Sequence, residues 1–353
     1  MEEWNMTETR DYKGMLPEEL EKALTAEGFP KFRAGQLFDW YHRRKASSYE
    51  EMNNRPKDLR AKLSEESPLV PARCIERQVS KIDGTNKFLF GFPGEEEEDC
   101  VEAVLMRYHY GNSVCVSSQV GCRMGCTFCA SGLLGRRRNL TASEMLEEVY
   151  AIERITGEKV GHVVIMGTGE PLDNYDHVIR FIRLLTHEKG AGISARNITL
   201  STCGIVPGIK KLSEEGIPLT LALSLHASTQ EKRERIMPIA RRYGLSEVMA
   251  AVSDYFKATG RRVTFEYSLI ANVNDSDEDA SGLAGLARGA HAHVNLIPVN
   301  PVRETGYERP DGGSVSAFKN KLEKYGVNVS IRRALGGDIE GACGQLRLRH
   351  ETE

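Results

Sequence analysis

The sequence predicts an α/β fold: a partial (β/α)6 barrel, preceded by a small helical domain and a short β extension. Two patterns predict it. From about residue 111 onward, apolar runs of strand length alternate with amphipathic helical stretches, the pattern of repeated β-α units and a parallel sheet. Before about residue 63 the periodicity is helical, with no β runs.

In chain order, Leu16 to Leu24, Phe32 to Tyr41 and Lys57 to Leu63 read as helices, with Gly28-Phe-Pro30 as a turn. Short β segments follow at Lys87–Phe92, Val101–Arg107 and Ser113–Ser117. The barrel strands are then expected at His162–Met166, Asn197–Ser201, Leu219–Ser224, Val263–Ile270, His293–Ile297 and Val327–Ile331, with helices such as Ala142–Ile155 and Leu245–Thr259 between them. The expected division is residues 1–72 for the helical domain, 73–110 for the β extension and 111–350 for the barrel. A full eight-unit barrel is the alternative. In either, chemistry belongs at the C-terminal ends of the strands.

Composition narrows the class. The chain has 353 residues, 40% hydrophobic and 27% charged, which is ordinary globular usage. No apolar run is long enough to span a membrane and Met1-Glu-Glu-Trp does not read as a signal peptide, so a cytoplasmic location is expected. Eight cysteines then read as reduced thiols. The formal net charge of −3 gives no global signal for nucleic acid, so RNA binding would rest on local patches. The acidic run Glu95 to Asp99 reads as a solvated hairpin tip.

The most informative segment is Cys122-Arg-Met-Gly-Cys126-Thr-Phe-Cys129. Three thiolates at this spacing can hold three corners of one [4Fe-4S] cube, which leaves the fourth iron open to chelate a small molecule and pass it an electron. Gly121 and Gly125 suit a tight loop around such a group. A structural zinc site is the alternative, but it normally shows two ligand pairs, and no second CxxC or HxxxH follows. With Phe128 just before the last cysteine, the motif resembles the radical S-adenosylmethionine (SAM) superfamily, which implies a TIM-like radical SAM barrel. After the first predicted barrel strand comes Gly167-Thr-Gly169-Glu170-Pro171, where glycines admit a ligand's approach and a carboxylate can face the SAM ammonium. Ser201, Ser224 with Leu225 and His226, and Asn300 end strands and are candidate contacts to SAM; the plain reading of each is a cap or turn residue.

The C-terminal Gly341-Ala-Cys343-Gly-Gln345-Leu346 and Val114-Cys115-Val-Ser-Ser-Gln119 resemble the RNA adenine-C2 methyltransferases, the RlmN family. Further matches lie in Arg138-Asn-Leu-Thr141, Gly169-Glu-Pro-Leu-Asp-Asn174, Ser224-Leu-His-Ala227, Met237-Pro-Ile239, Asn272-Val-Asn-Asp275 and Asn295-Leu-Ile-Pro-Val-Asn-Pro301. The resemblance spans about residues 16 to 350. It implies a [4Fe-4S] cluster, two SAM molecules per turnover, and formation of 2-methyladenosine in 23S rRNA at the peptidyl transferase centre and in tRNA beside the anticodon. Carbon 2 of adenine is electron-poor and cannot displace a methyl group from SAM, so a radical route is needed. By matching position the resemblance implies Cys343 as methyl carrier, Cys115 as resolving thiol and Glu102 as proton acceptor. A Cys115–Cys343 disulfide, an electron donor such as flavodoxin and a monomeric chain are expected with it. Cys74, Cys100 and Cys203 match no catalytic position and read as structural.

Arg136-Arg-Arg138, Arg241-Arg242, Arg261-Arg262 and Arg332-Arg333 are candidate phosphate contacts around the barrel mouth. Lys31, Arg33, Trp40, Tyr41, His42, Arg43, Arg44 and Lys45 suggest a basic, aromatic face on the helical domain. An adenine in folded RNA must also be turned out to be reached. Two alternatives stand beside this reading. One is the sister group that methylates carbon 8 of the same rRNA adenine and confers antibiotic resistance; the other is a non-enzymatic iron-sulfur or metal-containing RNA-binding protein.

Overall fold

A computed structural model describes residues 10–94, 98–133, 135–302, 304–340 and 343–352. Met1 to Trp4, Glu95 to Glu97 and the pair Gly341-Ala342 lie outside the described residues. The helical part comprises Pro17–Ala26, Phe32–Phe38 and Lys57–Glu66. The first of these begins at Pro17, where a fixed φ suits helix entry, and the Glu19 carboxylate accepts the Leu16 N–H at 2.9 Å. Each helix buries residues spaced about one turn apart: Leu20 and Leu24, Ala34 and Leu37, Leu59 and Leu63.

After Phe38 the chain makes one π-helical turn, Asp39–Arg43. The wider turn points three consecutive residues, Trp40, Tyr41 and His42, into the interior. His42 Nδ1 lies 3.1 Å from the Tyr150 hydroxyl on the helix Ala142–Thr156, and Lys13 and Lys45 pair with Glu147 and Glu153 of that helix. The helical part therefore shares one apolar core with the barrel. Its expected basic, aromatic face is corrected accordingly. Trp40, Tyr41 and His42 are core residues and Lys45 is ion-paired, while Phe32, Arg43 and Arg44 remain exposed.

Among the described residues twelve strands follow: β1 Arg73–Val79, β2 Asn86–Phe92, β3 Asp99–Tyr108, β4 Gly111–Val116, β5 Gln119–Gly121, β6 Arg136–Asn139, β7 Val160–Ile165, β8 Ile198–Thr202, β9 Thr220–Ser224, β10 Thr264–Leu269, β11 His293–Pro298 and β12 Val329–Ile331. Ten form one open sheet in the order β1-β2-β3-β4-β7-β8-β9-β10-β11-β12. β1 to β4 run antiparallel to their neighbours; from β4 to β12 every pairing is parallel. Six crossover helices join the seven parallel strands: Ala142–Thr156, Tyr175–Thr186, Val206–Glu214, Leu245–Thr259, Asp277–Gly289 and Gly312–Lys324. The partial barrel of six β-α units is thus as expected, with the three-residue β12 as a short seventh strand. Capping boxes at Thr141/Glu144 and Ser276/Asp279 start two of the helices, and Gly157 and Gly260 in left-handed conformation end two.

The Asp99 end of the acidic run is not solvated. Asp99 opens β3, is buried and pairs with Arg138 at 2.6 Å.

β1 and β12, the two ends of the sheet, share no ladder. The segment after β12 crosses back to the antiparallel strands and is held there by side chains. Gly336 N–H donates to Asp83 (2.9 Å), Ser80 Oγ and Lys81 N–H donate to Asp338 (2.5 and 2.7 Å), and Gln78 exchanges hydrogen bonds with Glu340 (2.9 and 3.0 Å). No helix among the described residues is long and apolar enough to cross a membrane.

Candidate functional site

The hairpin of β5 and β6 carries the cysteine loop. Gly121 has φ +80°, and a Cβ there would stand 1.7 Å from the Gly135 carbonyl oxygen; Gly125 has φ +68°. Cys122 N–H donates to Gly135 O (2.9 Å) and Thr127 N–H to Ile236 O (3.0 Å), so both ends of the loop are anchored by backbone. Cys122, Cys126 and Cys129 all line one cavity of about 570 Å³ at the C-terminal ends of the parallel strands. Among the described residues no three His, Cys, Asp or Glu side chains converge to hold a single ion; the three thiols instead stand along the wall of a space sized for a larger group.

Burial pushes the Cys122 thiol up to about 12 and the Cys126 and Cys129 thiols above their ordinary value. Three thiolates here therefore need compensating positive charge, which the irons of a [4Fe-4S] cluster supply. The donor set fits that group, and Cys122, Cys126 and Cys129 are the residues that would hold it.

Of the candidate SAM contacts, Gly169, Glu170, Ser201, Ser224, His226 and Asn300 line the same cavity. Gly169 has φ +110°, and a Cβ would stand 2.7 Å from Ser118 Oγ, so the close approach requires glycine. The Glu170 carboxylate links the ends of β7 and β8: it accepts from Thr202 Oγ1 (2.7 Å), Cys203 N–H (2.7 Å) and Leu172 N–H (3.0 Å). Burial raises its pKa, and these donors oppose the rise. Ser201 and Ser224 hydroxyls lie 3.2 Å apart on adjacent strands. His226, at φ +56°, accepts the Ser268 N–H on Nδ1 (2.9 Å) and packs edge-on against Phe128 at 5.0 Å. Burial pushes it down to about 3, so it is a neutral hydrogen-bonding ring. Leu225 is the exception. It is enclosed in the apolar core, with its N–H on Glu266 O and its carbonyl accepting from Arg233.

Cys115 and Cys343 meet across the cavity wall. Cys115, on β4, hydrogen-bonds Cys343, whose Sγ lies 3.5 Å from the Met166 carbonyl. The two thiols are polarised oppositely. The hydrogen bond from Cys115 outweighs burial and, with the Lys87 charge, lowers Cys343 below its ordinary value; the same bond and burial raise Cys115 well above its own. All eight cysteines are free thiols.

Glu102 does not line the cavity. It lies 4% exposed behind it, with its carboxylate accepting from Gly344 N–H (2.6 Å) and Arg347 N–H (2.7 Å) and paired with Lys87 Nζ (3.0 Å). It thus caps the helix Gln345–Thr352 and fixes the residue next to Cys343.

Of the arginine pairs, Arg332 and Arg333 line the cavity. Arg136 and Arg138 pair with Asp173 and with Asp99 and Glu144, and Arg261 donates to the Leu219 carbonyl, which precedes β9 at the other end of the barrel. Cavity residues that sequence reasoning passed over include Cys203, read as structural, and Glu266. Glu266 had a visible signal, a lone carboxylate within an apolar strand. Asn295 donates to it at 2.9 Å.

A radical SAM superfamily model matches residues 116–284, and a ribosomal RNA large subunit methyltransferase N-terminal domain model matches residues 11–69. The chain is 53% identical to a probable dual-specificity RNA methyltransferase RlmN of Lachnoclostridium phytofermentans over 97% of this chain and 96% of the relative. It is 52% identical to the one of Lachnospira eligens over 96% of each. The crystal structure of a radical SAM methyltransferase from Sphaerobacter thermophilus superposes with a TM-score of 0.89 at 43% identity, covering 95% of this chain and 98% of that one. With the three-cysteine loop, the SAM-sized cavity and the paired thiols all in one place, these matches mean that the chain belongs to the RlmN family of radical SAM RNA methyltransferases, enzymes that use a [4Fe-4S] cluster and two SAM molecules per turnover.

Proposed function

We propose that this enzyme forms 2-methyladenosine in 23S rRNA and in tRNA, with Cys343 as methyl carrier, Cys115 as resolving thiol and Glu102 as proton acceptor. The observation that carries the reading is the Cys115–Cys343 contact on the wall that also holds Cys122, Cys126 and Cys129. Two hydrogen-bonded thiols from distant parts of the chain, one inclined to ionise and the other to keep its proton, suit a nucleophile and its later resolving partner.

When bound, the cluster supplies the electron that cleaves one SAM to a 5′-deoxyadenosyl radical. The remaining work falls to the chain. Cys343 takes a methyl group on sulfur, and its methylene, once activated, bonds to adenine carbon 2. Glu102, buried behind the cavity wall and holding the Gly344 and Arg347 N–H groups, is assigned the proton from that carbon by its matching position in the family, and reaches it only after adenine opens that wall. Cys115 attacks the Cys343 sulfur, so that the S–S bond forms as the sulfur–carbon bond to the product breaks; the freed methylene carbon takes up a proton to become the methyl group, and the one electron left on the ring by the addition would go to a one-electron acceptor such as the oxidised cluster. Neutral His226, the Ser201 and Ser224 hydroxyls, Gly169, Glu170 and Asn300 hold SAM, and Arg332 and Arg333 meet RNA phosphate at the mouth.

The same reading takes residues 1–72 as an RNA-binding accessory domain, 73–110 as the β extension and 111–350 as the barrel. It includes a donor such as flavodoxin, a monomeric chain and a cytoplasmic location with its RNA substrates. The relatives carry the RlmN name, which supports carbon 2 over carbon 8.

Nucleoside mass spectrometry of rRNA and tRNA from cells with and without the gene tests it. 2-Methyladenosine should vanish from both RNAs in the deletion. Loss of 8-methyladenosine instead would favour the sister activity, and no difference in either nucleoside would sink both.

The Cys343 shift makes a kinetic prediction. Only the thiolate attacks the SAM methyl group, so the rate of Cys343 methylation, read by intact-protein mass spectrometry, should rise with pH to half its maximum below the pH at which an ordinary thiol ionises, and level off above. A midpoint near 9 would mean that Cys115 does not polarise Cys343.

A further inference from the structure

Behind the cysteine loop lies a buried cation that no carboxylate among the described residues pairs with. Arg233, in the helix Gln230–Ile236, is 0% exposed. Its Nε donates to the Leu225 carbonyl (3.2 Å) and Nη2 to the carbonyls of Cys203 (2.5 Å) and Ser224 (3.4 Å). Nη1 has no hydrogen-bond partner, and among the described residues no carboxylate pairs with the guanidinium. A guanidinium keeps its charge under all ordinary conditions. Buried with carbonyl dipoles alone, its charge is under-compensated.

The surroundings point to where the missing anion sits. The helix is tied to the cysteine loop by the Thr127 N–H to Ile236 carbonyl bond at 3.0 Å. Ile236 and Met237 pack with Cys203 against Cys122, Cys126 and Phe128. A [4Fe-4S] core on three thiolates is net negative, and gains one more negative charge on reduction; net charge and nearby dipoles set its potential.

We propose that Arg233 is the internal counter-charge of the iron-sulfur cluster, and that its fixed charge behind Cys126 stabilises the reduced form and sets the reduction potential. This rests on Cys122, Cys126 and Cys129 as cluster ligands and is independent of the RNA substrate. Arg233 is a positioning residue for charge: it is fully buried and is not among the residues that line the cavity.

The test compares full-length wild type, Arg233→Lys and Arg233→Met, reconstituted anaerobically and titrated potentiometrically by electron paramagnetic resonance without SAM or RNA. In Arg233→Met, one-electron reduction should become at least about tenfold less favourable, a fall of 59 mV for a one-electron couple. Arg233→Lys, which keeps the charge but loses the carbonyl fork, should stay within about threefold of wild type. A Met variant that titrates like wild type, or a Lys variant that falls as far as Met, overturns the proposal.

Melting of the cluster-free proteins is a second reading. There the charge is uncompensated, so Arg233→Met should melt no lower than wild type, while the loaded variant should melt lower. A Met variant that unfolds without cluster where wild type does not would mean that the carbonyl bonds are what the fold needs, and would also overturn it. Wild type that takes up no cluster would defeat the ligand assignment itself, and this proposal with it.

Discussion

The Cys115→Ala variant is expected to end its first turnover covalently attached to RNA. Cys343 keeps its place, because Glu102 binds the Gly344 and Arg347 N–H groups independently of Cys115. It therefore still takes up a methyl group and still bonds through it to adenine. What is lost is the thiol beside it, the group placed to attack the Cys343 sulfur. Without that attack the sulfur–carbon bond persists. Denaturing gels with labelled RNA should show one slow band for Cys115→Ala, at no more than about one RNA per enzyme, and none for Cys343→Ala, which has no methyl to activate. Replacing one sulfur-sized group in the cluster of Val104, Met106, Val164 and Met166 should lower stability by only about 1 kcal/mol, so the block is chemical. Multiple turnover by Cys115→Ala, or an adduct with Cys343→Ala, would overturn the two roles.

Loss of any one of Cys122, Cys126 or Cys129 is expected to have the other largest effect. Each Ala variant should fold, since the loop is anchored by backbone bonds to Gly135 and Ile236 rather than by its thiols. Each should lose the cluster's visible absorbance and make no detectable 5′-deoxyadenosine, because the electron reaches SAM only through the iron that chelates it. A variant verified free of cluster that still cleaves SAM would mean the wrong residues have been assigned.

How legible this was from residues alone varied with the kind of signal. The parallel strands were readable because both their faces are covered, leaving apolar runs such as His162–Met166 that side-chain chemistry cannot disguise. β1 was missed because Arg73, Glu76, Arg77 and Gln78 give an edge strand no apolar alternation. Trp40, Tyr41 and His42 were misjudged because a π turn departs from the 3.6-residue period on which the surface face was drawn. Within the site, motif spacing placed the three thiols and six of seven candidate SAM contacts on one cavity. The backbone partners of the Glu102 carboxylate were not readable, since the Gly344 and Arg347 N–H groups lie more than two hundred residues away in sequence and meet it only through the fold. Arg233 had no sequence signal either: in Gln230-Glu-Lys-Arg-Glu-Arg235 it looks like any solvated helix charge, and only packing distinguishes it.

The unpaired ends of the sheet give scaffold and reactivity different vulnerabilities. Ten strands hold the cavity through main-chain bonds that no single substitution erases. Cys343 instead rides on a bridge between the first and last strands, suspended from Asp83, Asp338, Glu340, Gln78 and Glu102. Each of those contacts can be removed by one codon change. Evolution can therefore retune where the acceptor sits, and what it reaches, without rebuilding the barrel beneath it.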